Sequence, residues 1–140
     1  MLRKDSSNGG VIIVTRANNA NTQTHINFFN STGGSVGRID TTQTQTNYVI
    51  TSDYRLKEDL QDFNGLDMIS DIPVYNFKWK EDESRSYGVM AHELQEVLPD
   101  AVSGEKDAEE MQGVDYSKIV PVLIKAIQEL TAKVAILEQK

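Results

Sequence analysis

The 140-residue sequence contains no cysteine. Disulfide frameworks, thiol nucleophiles and zinc sites with cysteine ligands are therefore excluded, and such a composition suits a cytoplasmic origin. Positive charge is also scarce, because 14 Lys and Arg stand against 21 Asp and Glu, for a formal net charge of −7. Nucleic acids and anionic membrane surfaces bind clustered Lys and Arg, so neither is expected as a partner.

Long apolar runs are missing as well. No run approaches the roughly 18 residues that a membrane span needs. The basic residues near the start are not followed by the apolar stretch of a secretory signal. The acidic clusters lack the spacing of a calcium loop, and the glycine-rich stretch lacks a P-loop lysine. We therefore expect neither a metal nor a cofactor.

Charge is unevenly distributed along the chain. Only six of the 35 charged residues lie in residues 1–52, and the other 29 lie in residues 53–140. The upstream part is rich in Thr, Asn, Gln and Gly instead. Turn sequences such as "NNAN" and "STGG" separate four short segments with the composition of strands, at 11–15, 25–30, 36–39 and 47–50.

The upstream part has too few large apolar side chains to form a core alone. Ordering about fifty residues costs more entropy than so little burial offsets. Their strand propensity nevertheless argues against disorder. We therefore expect residues 1–51 to be the end of a β-rich shaft in which several copies of the chain intertwine.

Residues 52–140 show the pattern of a small α+β domain. Ser52 and Asp53 are typical of a helix start, and Leu56, Leu60 and Phe63 follow at i, i+4 and i+7. The further predicted elements are a short helical segment within 64–73, a hairpin of strands at 74–79 and 87–90, a short helix that ends before Pro99, and a long helix from Ser117 onward.

The last predicted helix carries a heptad stripe. Ser117 is its expected N-cap and Pro121 lies in its first turn. The apolar residues at 3-4-3-4-3 spacing are Val120, Leu123, Ile127, Leu130, Val134 and Leu137. This stripe favours a coiled coil between chains, although its residue types alone do not establish a trimer. The alternative is an amphipathic helix that packs on its own domain.

Ser52 and Lys57 are candidates for nucleophile and base. A serine hydroxyl needs a base, and lysine becomes one only when burial lowers its pKa. On one continuous helix five residues rotate by about 140°, so these side chains would point apart. They meet only if Ser52 caps the helix from outside or if Lys57 comes from a neighbouring chain. Helix N–H groups near Ser52 would then stabilise an oxyanion. The alternative is a capping Ser52 and a solvated Lys57.

Four ordered blocks carry a family resemblance. "TSDYRLKEDL", "YNFKW", "YGVMAHELQEVLPDAV" and "VDYSKIVPVLIKAIQEL" resemble the C-terminal intramolecular chaperone domain of bacteriophage tail spikes, tail fibres and endosialidases. The resemblance covers Ser52 to about Leu137. The upstream "INFFNSTGGSVGRI" looks like the shaft segment that often precedes this domain.

The resemblance implies a homotrimer that folds three shaft chains in register and then releases itself. Release would be a single autocatalytic cut between Thr51 and Ser52, with Ser52 as nucleophile and Lys57 as general base. The protein would be a serine endopeptidase with a Ser-Lys dyad, made in the cytoplasm of the bacterial host. The shaft would remain in the virion as part of a tail fibre or spike.

Three further residues are candidate auxiliaries of the dyad. His92 would help to orient it, although a capping or structural histidine is the simpler interpretation. Asp53 favours the helix dipole, and Arg55 is expected to pair with a carboxylate. Two other functions stay open at this point. One is a trimeric cap that does not cleave, and the other is a shaft end that binds a host-surface glycan.

Overall fold

The computed structural model describes residues 22–139, and the predicted strand at 11–15 lies outside them. The chain divides into two compact units between Leu60 and Gln61. Strands dominate the described part of the first unit, whereas the described part of the second combines three α-helices with short strands. The α+β class predicted from the sequence is therefore confirmed. No helix in the described part of the chain is long and apolar enough to cross a membrane.

The first unit contains a three-stranded antiparallel sheet. Its strands β1 (Gln23–Phe29), β2 (Ser35–Thr41) and β3 (Thr46–Ile50) lie in sequence order. They confirm three of the predicted strands. The turn between β1 and β2 forms around Asn30, whose side-chain oxygen accepts the backbone N–H of Gly34 at 2.8 Å. Gly33 has a φ of +83°, which a residue with a side chain rarely adopts.

One face of this sheet is apolar and open to solvent. Cross-strand pairs place Ile26, Ile39 and Tyr48 in one row and Phe28, Gly37 and Ile50 in the next. Tyr48 is 78% exposed and Ile50 65% exposed. Among the described residues, every buried hydrophobic side chain belongs to the second unit. Within residues 22–139, no hydrophobic core therefore forms on this sheet.

The helix predicted from Ser52 to Phe63 is wrong. The chain makes a single 3-10 turn at Tyr54–Leu56, with extended backbone at Asp53 before it and at Lys57 after it. Leu56 is 74% exposed and Leu60 is 89% exposed. Since a short helix is marginal in water unless an apolar face is packed, the heptad-like spacing here has no core to support it.

The second unit follows the predicted order of elements. The short helix, the hairpin, the helix before Pro99 and the long last helix are all confirmed. The elements are α1 (Gly65–Ser70), β4 (Tyr75–Lys78), β5 (Arg85–Gly88), α2 (Ala91–Val97), β6 (Val102–Ser103), β7 (Gly113–Val114) and α3 (Ile119–Glu138). Strands β4 and β5 pair antiparallel, and so do β6 and β7.

The core of the second unit is small and centred on α2. Leu94 is completely buried there and clusters with Ile72, Ala101 and Ile119. Partly buried side chains, such as Val89 and Val97, pack around this cluster. Apolar side chains of α2 and of the start of α3 therefore pack into one core.

Helix α3 also packs closely against α1. A Cβ atom on Gly65 would lie 2.7 Å from the backbone nitrogen of Ala126, so only glycine permits this approach. Glu129 accepts the backbone N–H groups of Gly65 (3.2 Å) and Leu66 (2.8 Å). It thus supplies the cap that the Asn64 side chain does not provide. One face of α3 therefore lies on its own domain, as the amphipathic alternative expects.

The heptad stripe lies on a different face of α3. Its six residues, Val120, Leu123, Ile127, Leu130, Val134 and Leu137, are between 42% and 66% exposed. The prediction that Ser117 caps this helix is wrong. Ser117 lies in a 3-10 turn at Tyr116–Lys118 that Asp115 caps, whereas α3 begins at Ile119. Pro121 occupies the first turn, as predicted.

Candidate functional site

Ser52 and Lys57 meet within one chain. The Lys57 Nζ donates a hydrogen bond to the Ser52 Oγ over 2.6 Å. The contact forms because the predicted helix is absent. Ser52 precedes the 3-10 turn and Lys57 follows it with extended backbone, so the two side chains are not fixed on opposite sides of a helix. A hydroxyl and an amine at this distance can exchange a proton.

Asp53 and Arg55 stabilise the turn between the two. The Arg55 guanidinium donates to both carboxylate oxygens of Asp53, over 2.9 and 2.7 Å, as its predicted carboxylate pairing requires. The Arg55 backbone N–H donates to the same carboxylate. These bonds hold the pKa of Asp53 below its ordinary value and raise that of Arg55. Asp53 is therefore an ionised capping residue and a poor candidate for a base.

The predicted row of free helix N–H groups near Ser52 is not formed. The Leu56 N–H donates to the carbonyl of Asp53, and the Lys57 N–H donates to that of Tyr54, each over 3.1 Å. The Arg55 N–H is taken by the Asp53 side chain. Because one tight turn satisfies these donors itself, they cannot also stabilise an oxyanion.

Thr51 is attached to the sheet on the other side of the candidate bond. Its backbone N–H donates to the carbonyl of Val36 over 3.1 Å. Its hydroxyl donates to the carbonyl of Ser35 over 3.3 Å. The bond between Thr51 and Ser52 therefore lies where the sheet pairing ends and the 3-10 turn begins. The sequence gives no signal for these two carbonyl partners, since any residue type supplies one.

Solvent reaches both members of the pair. Ser52 and Lys57 are exposed in the single chain. Removal of water from an amine favours its neutral form. The single chain thus brings the two groups together without excluding water from them.

His92 lies in the second unit, in the first turn of α2, and is half-buried. Its auxiliary role stays a prediction. The neighbouring Glu93 accepts a hydrogen bond from the Tyr75 hydroxyl over 3.2 Å. Burial and this carboxylate raise the pKa of Tyr75. Within the described residues, no group of three or more His, Cys, Asp and Glu could hold a metal ion.

Comparisons with known proteins place the candidate pair at the start of a matched segment. Residues 52–103 match the model of a peptidase family described as chaperone of endosialidase. The chain is also 31% identical over 89 residues to the long tail fiber protein Gp37 of Escherichia phage AR1, which covers 57% of this chain and 8% of that protein. The chain thus spans less than a tenth of this relative. These matches confirm the resemblance to the C-terminal chaperone domain of phage tail fibres.

Proposed function

We propose that this chain is the end of a phage fibre or spike shaft joined to a chaperone domain that assembles three copies and then cuts itself off. Residues 1–51 would belong to the shaft and residues 52–140 to the chaperone. The observation that carries the proposal is the 2.6 Å hydrogen bond from Lys57 to Ser52, at the first residue of the family match. The open sheet face and the exposed heptad stripe supply surfaces for other copies.

The proposed reaction needs no group from outside except water. A neutral Lys57 takes the proton of the Ser52 hydroxyl, and the Oγ attacks the carbonyl carbon of Thr51. The bond from that carbon to the Ser52 nitrogen breaks, and the nitrogen takes the proton from Lys57. Water then hydrolyses the ester between Thr51 and the Ser52 Oγ. The products are a carboxylate on Thr51 and a free amine on Ser52.

Proximity supplies much of the rate in this scheme. The nucleophile belongs to the residue after the scissile carbonyl, and Thr51 is held by the carbonyls of Ser35 and Val36. Holding reactants together in this way is worth several kcal/mol, on the order of 7–11 in well-oriented cases. In the single chain, both Ser52 and Lys57 are open to solvent. We infer that assembly removes water from Lys57, so that cutting follows completed assembly.

This order of events gives the cut a use. The chaperone domain would be released only from shafts that have assembled correctly. A cut shaft could no longer use this domain to refold, so the stability of the shaft would depend on how slowly it unfolds. The shaft would stay in the virion, whereas the released piece would begin at Ser52. Host-surface glycan binding by the shaft stays a prediction.

The direct test is intact-mass spectrometry of the purified trimer. We expect the wild type to be cut between Thr51 and Ser52, and both Ser52→Ala and Lys57→Ala to remain full length. Lys106→Ala, which removes an exposed lysine from the loop after β6, is the matched control and should be cut normally. Assembled wild-type trimers that stay full length would instead favour the non-cleaving cap.

The geometry also supports a base from the same chain, because the short contact joins Lys57 to its own Ser52. Mixed trimers of Ser52→Ala chains with Lys57→Ala chains test this point. No chain in them carries both groups, so we expect no product. Recovery of cutting would mean that Lys57 is supplied by a neighbour.

A further inference from the structure

The segment that carries the dyad exposes large apolar side chains. Tyr54 is 82% exposed, Leu56 74% and Leu60 89%. No side chain from Tyr54 to Asn64 is buried in the single chain. Linker segments of this kind are ordinarily polar, and a cluster of exposed apolar residues marks a surface that a partner covers. The dyad segment is therefore more than a connection between the two units.

These three residues flank Lys57 in the sequence. Tyr54 and Leu56 are the ends of the 3-10 turn that lets Lys57 reach Ser52. Leu60 follows three residues after Lys57. A partner that covered this short stretch would lie next to the hydrogen-bonded pair in the chain.

A second copy of the chain is the partner that fits. The heptad residues of α3 are exposed at a spacing that packs against a similar helix. The open apolar face of the sheet ends at Ile50, two residues before Ser52. The net charge of −7 and the carboxylates of Glu58, Asp59 and Asp62 do not attract nucleic acid or an anionic membrane.

We propose that Tyr54, Leu56 and Leu60 form an interface with a second copy of the chain and, within it, exclude water from Lys57. They are positioning residues, because they act on the reaction through Lys57. This inference rests on the proposed function and names the residues that couple assembly to cutting.

Charged residues flank Lys57 in the sequence. Asp53 and Arg55 are paired with each other. Glu58 and Asp59 follow Lys57 in the chain. Loss of water around an amine favours its neutral form. Weakening the apolar cover should therefore move cutting to higher pH.

The test is the pH–rate profile of cutting in assembled Leu56→Ser and Leu60→Ser, compared with wild type. We expect each midpoint to move upward, with cutting about tenfold slower at neutral pH and nearly normal when alkaline, since tenfold corresponds to about one pKa unit. The control is Met111→Ser, which changes a side chain that is 97% exposed in another loop and should leave the profile unchanged. Assembled Leu56→Ser and Leu60→Ser with wild-type profiles would overturn the inference.

A second measurement covers variants that fail to assemble. Hydroxyl-radical footprinting of the assembled Ser52→Ala protein, which keeps the bond intact, should show Tyr54, Leu56 and Leu60 protected relative to Met111. Oxidation as fast as at Met111 would also overturn the inference. Wild-type trimers that never cut would count against the proposed function instead. Wild-type trimers that cut, with unshifted variants, count against the inference alone.

Discussion

The two units of the chain differ in what they bury. The second unit holds all six buried hydrophobic side chains of the described residues: Ile72, Leu94, Ala101, Ile119, Val122 and Ala126. In residues 22–60 of the first unit, Asp40 is the one buried polar side chain, and Phe28, Tyr48 and Ile50 are exposed to solvent. The second unit therefore has a hydrophobic core within one chain, whereas the described part of the first unit has none. In the proposed function the cut lies in the unit without such a core, so that cutting would report on assembly.

The largest expected effect is on the core of the second unit. Leu94→Ala removes a completely buried side chain and should cost about 2–5 kcal/mol of unfolding free energy. Chemical denaturation in the uncleavable Ser52→Ala background measures it. Met111→Ala, at an exposed loop position, should change the free energy by less than about 0.5 kcal/mol. Equal losses would mean that this unit lacks an independent core.

The next largest loss of stability is expected where α1 and α3 approach closely. Gly65→Ala forces the backbone of α3 away and should cost about 1–3 kcal/mol, measured in the same denaturation experiment. Gly34→Ala in the first unit is the control. The nearest atoms there, 3.3 Å from the new Cβ, belong to the Asn30 side chain and not to the backbone as at Gly65. A larger loss from Gly34→Ala would reverse the comparison between the units.

The second unit should also lose stability in acid. Backbone N–H donation, chiefly from Leu66, lowers the pKa of Glu129, and the Lys125 hydrogen bond lowers that of Asp62. Both carboxylates thus stabilise the fold above their ordinary pKa values of 4.5 and 3.8. This contribution is lost as the pH falls through their lowered folded-state values.

The contribution of Glu129 to this pH-dependent stability can be measured by thermal unfolding of Glu129→Gln at several pH values. We expect a lower melting temperature than wild type at neutral pH, by less than in Leu94→Ala, and a smaller decrease on acidification. Glu138→Gln, near the end of α3 and exposed, should follow the wild-type curve. Parallel curves for Glu129→Gln and wild type would contradict the capping role of Glu129.

The smallest effect is expected in the sheet. Asp40 accepts hydrogen bonds from Arg38 and from the Thr24 hydroxyl, each over 2.8 Å. Asp40→Asn weakens both, and β1 and β2 should exchange amide hydrogens about fivefold faster, as expected for roughly 1 kcal/mol. Hydrogen exchange followed by mass spectrometry measures this locally. Protection in α2 should not change, and a change there would mean that the two units unfold together.

Hydrophobic periodicity predicted most elements because the apolar positions of α2 and of the start of α3 do pack into the core of the second unit. The hairpin of β4 and β5 and the long helix α3 are examples. The helix expected after Ser52 failed for the opposite reason. Leu56 and Leu60 have helical spacing, yet both side chains are largely exposed in the part of the chain that the structure describes. Ser117 failed as a cap because Asp115 captures both its N–H and its hydroxyl.

Residue types and spacing were enough to predict the composition change at Ser52, most of the strands and helices in order, the heptad stripe, and Ser52 and Lys57 as candidates. These depend on residue types and spacing, which are local. Tertiary structure alone decided that α3 uses a second face around Ala126, that Glu129 caps α1, and that Lys57 reaches its own Ser52. Such contacts depend on the path of the backbone, and that path is set by which apolar surfaces find a partner.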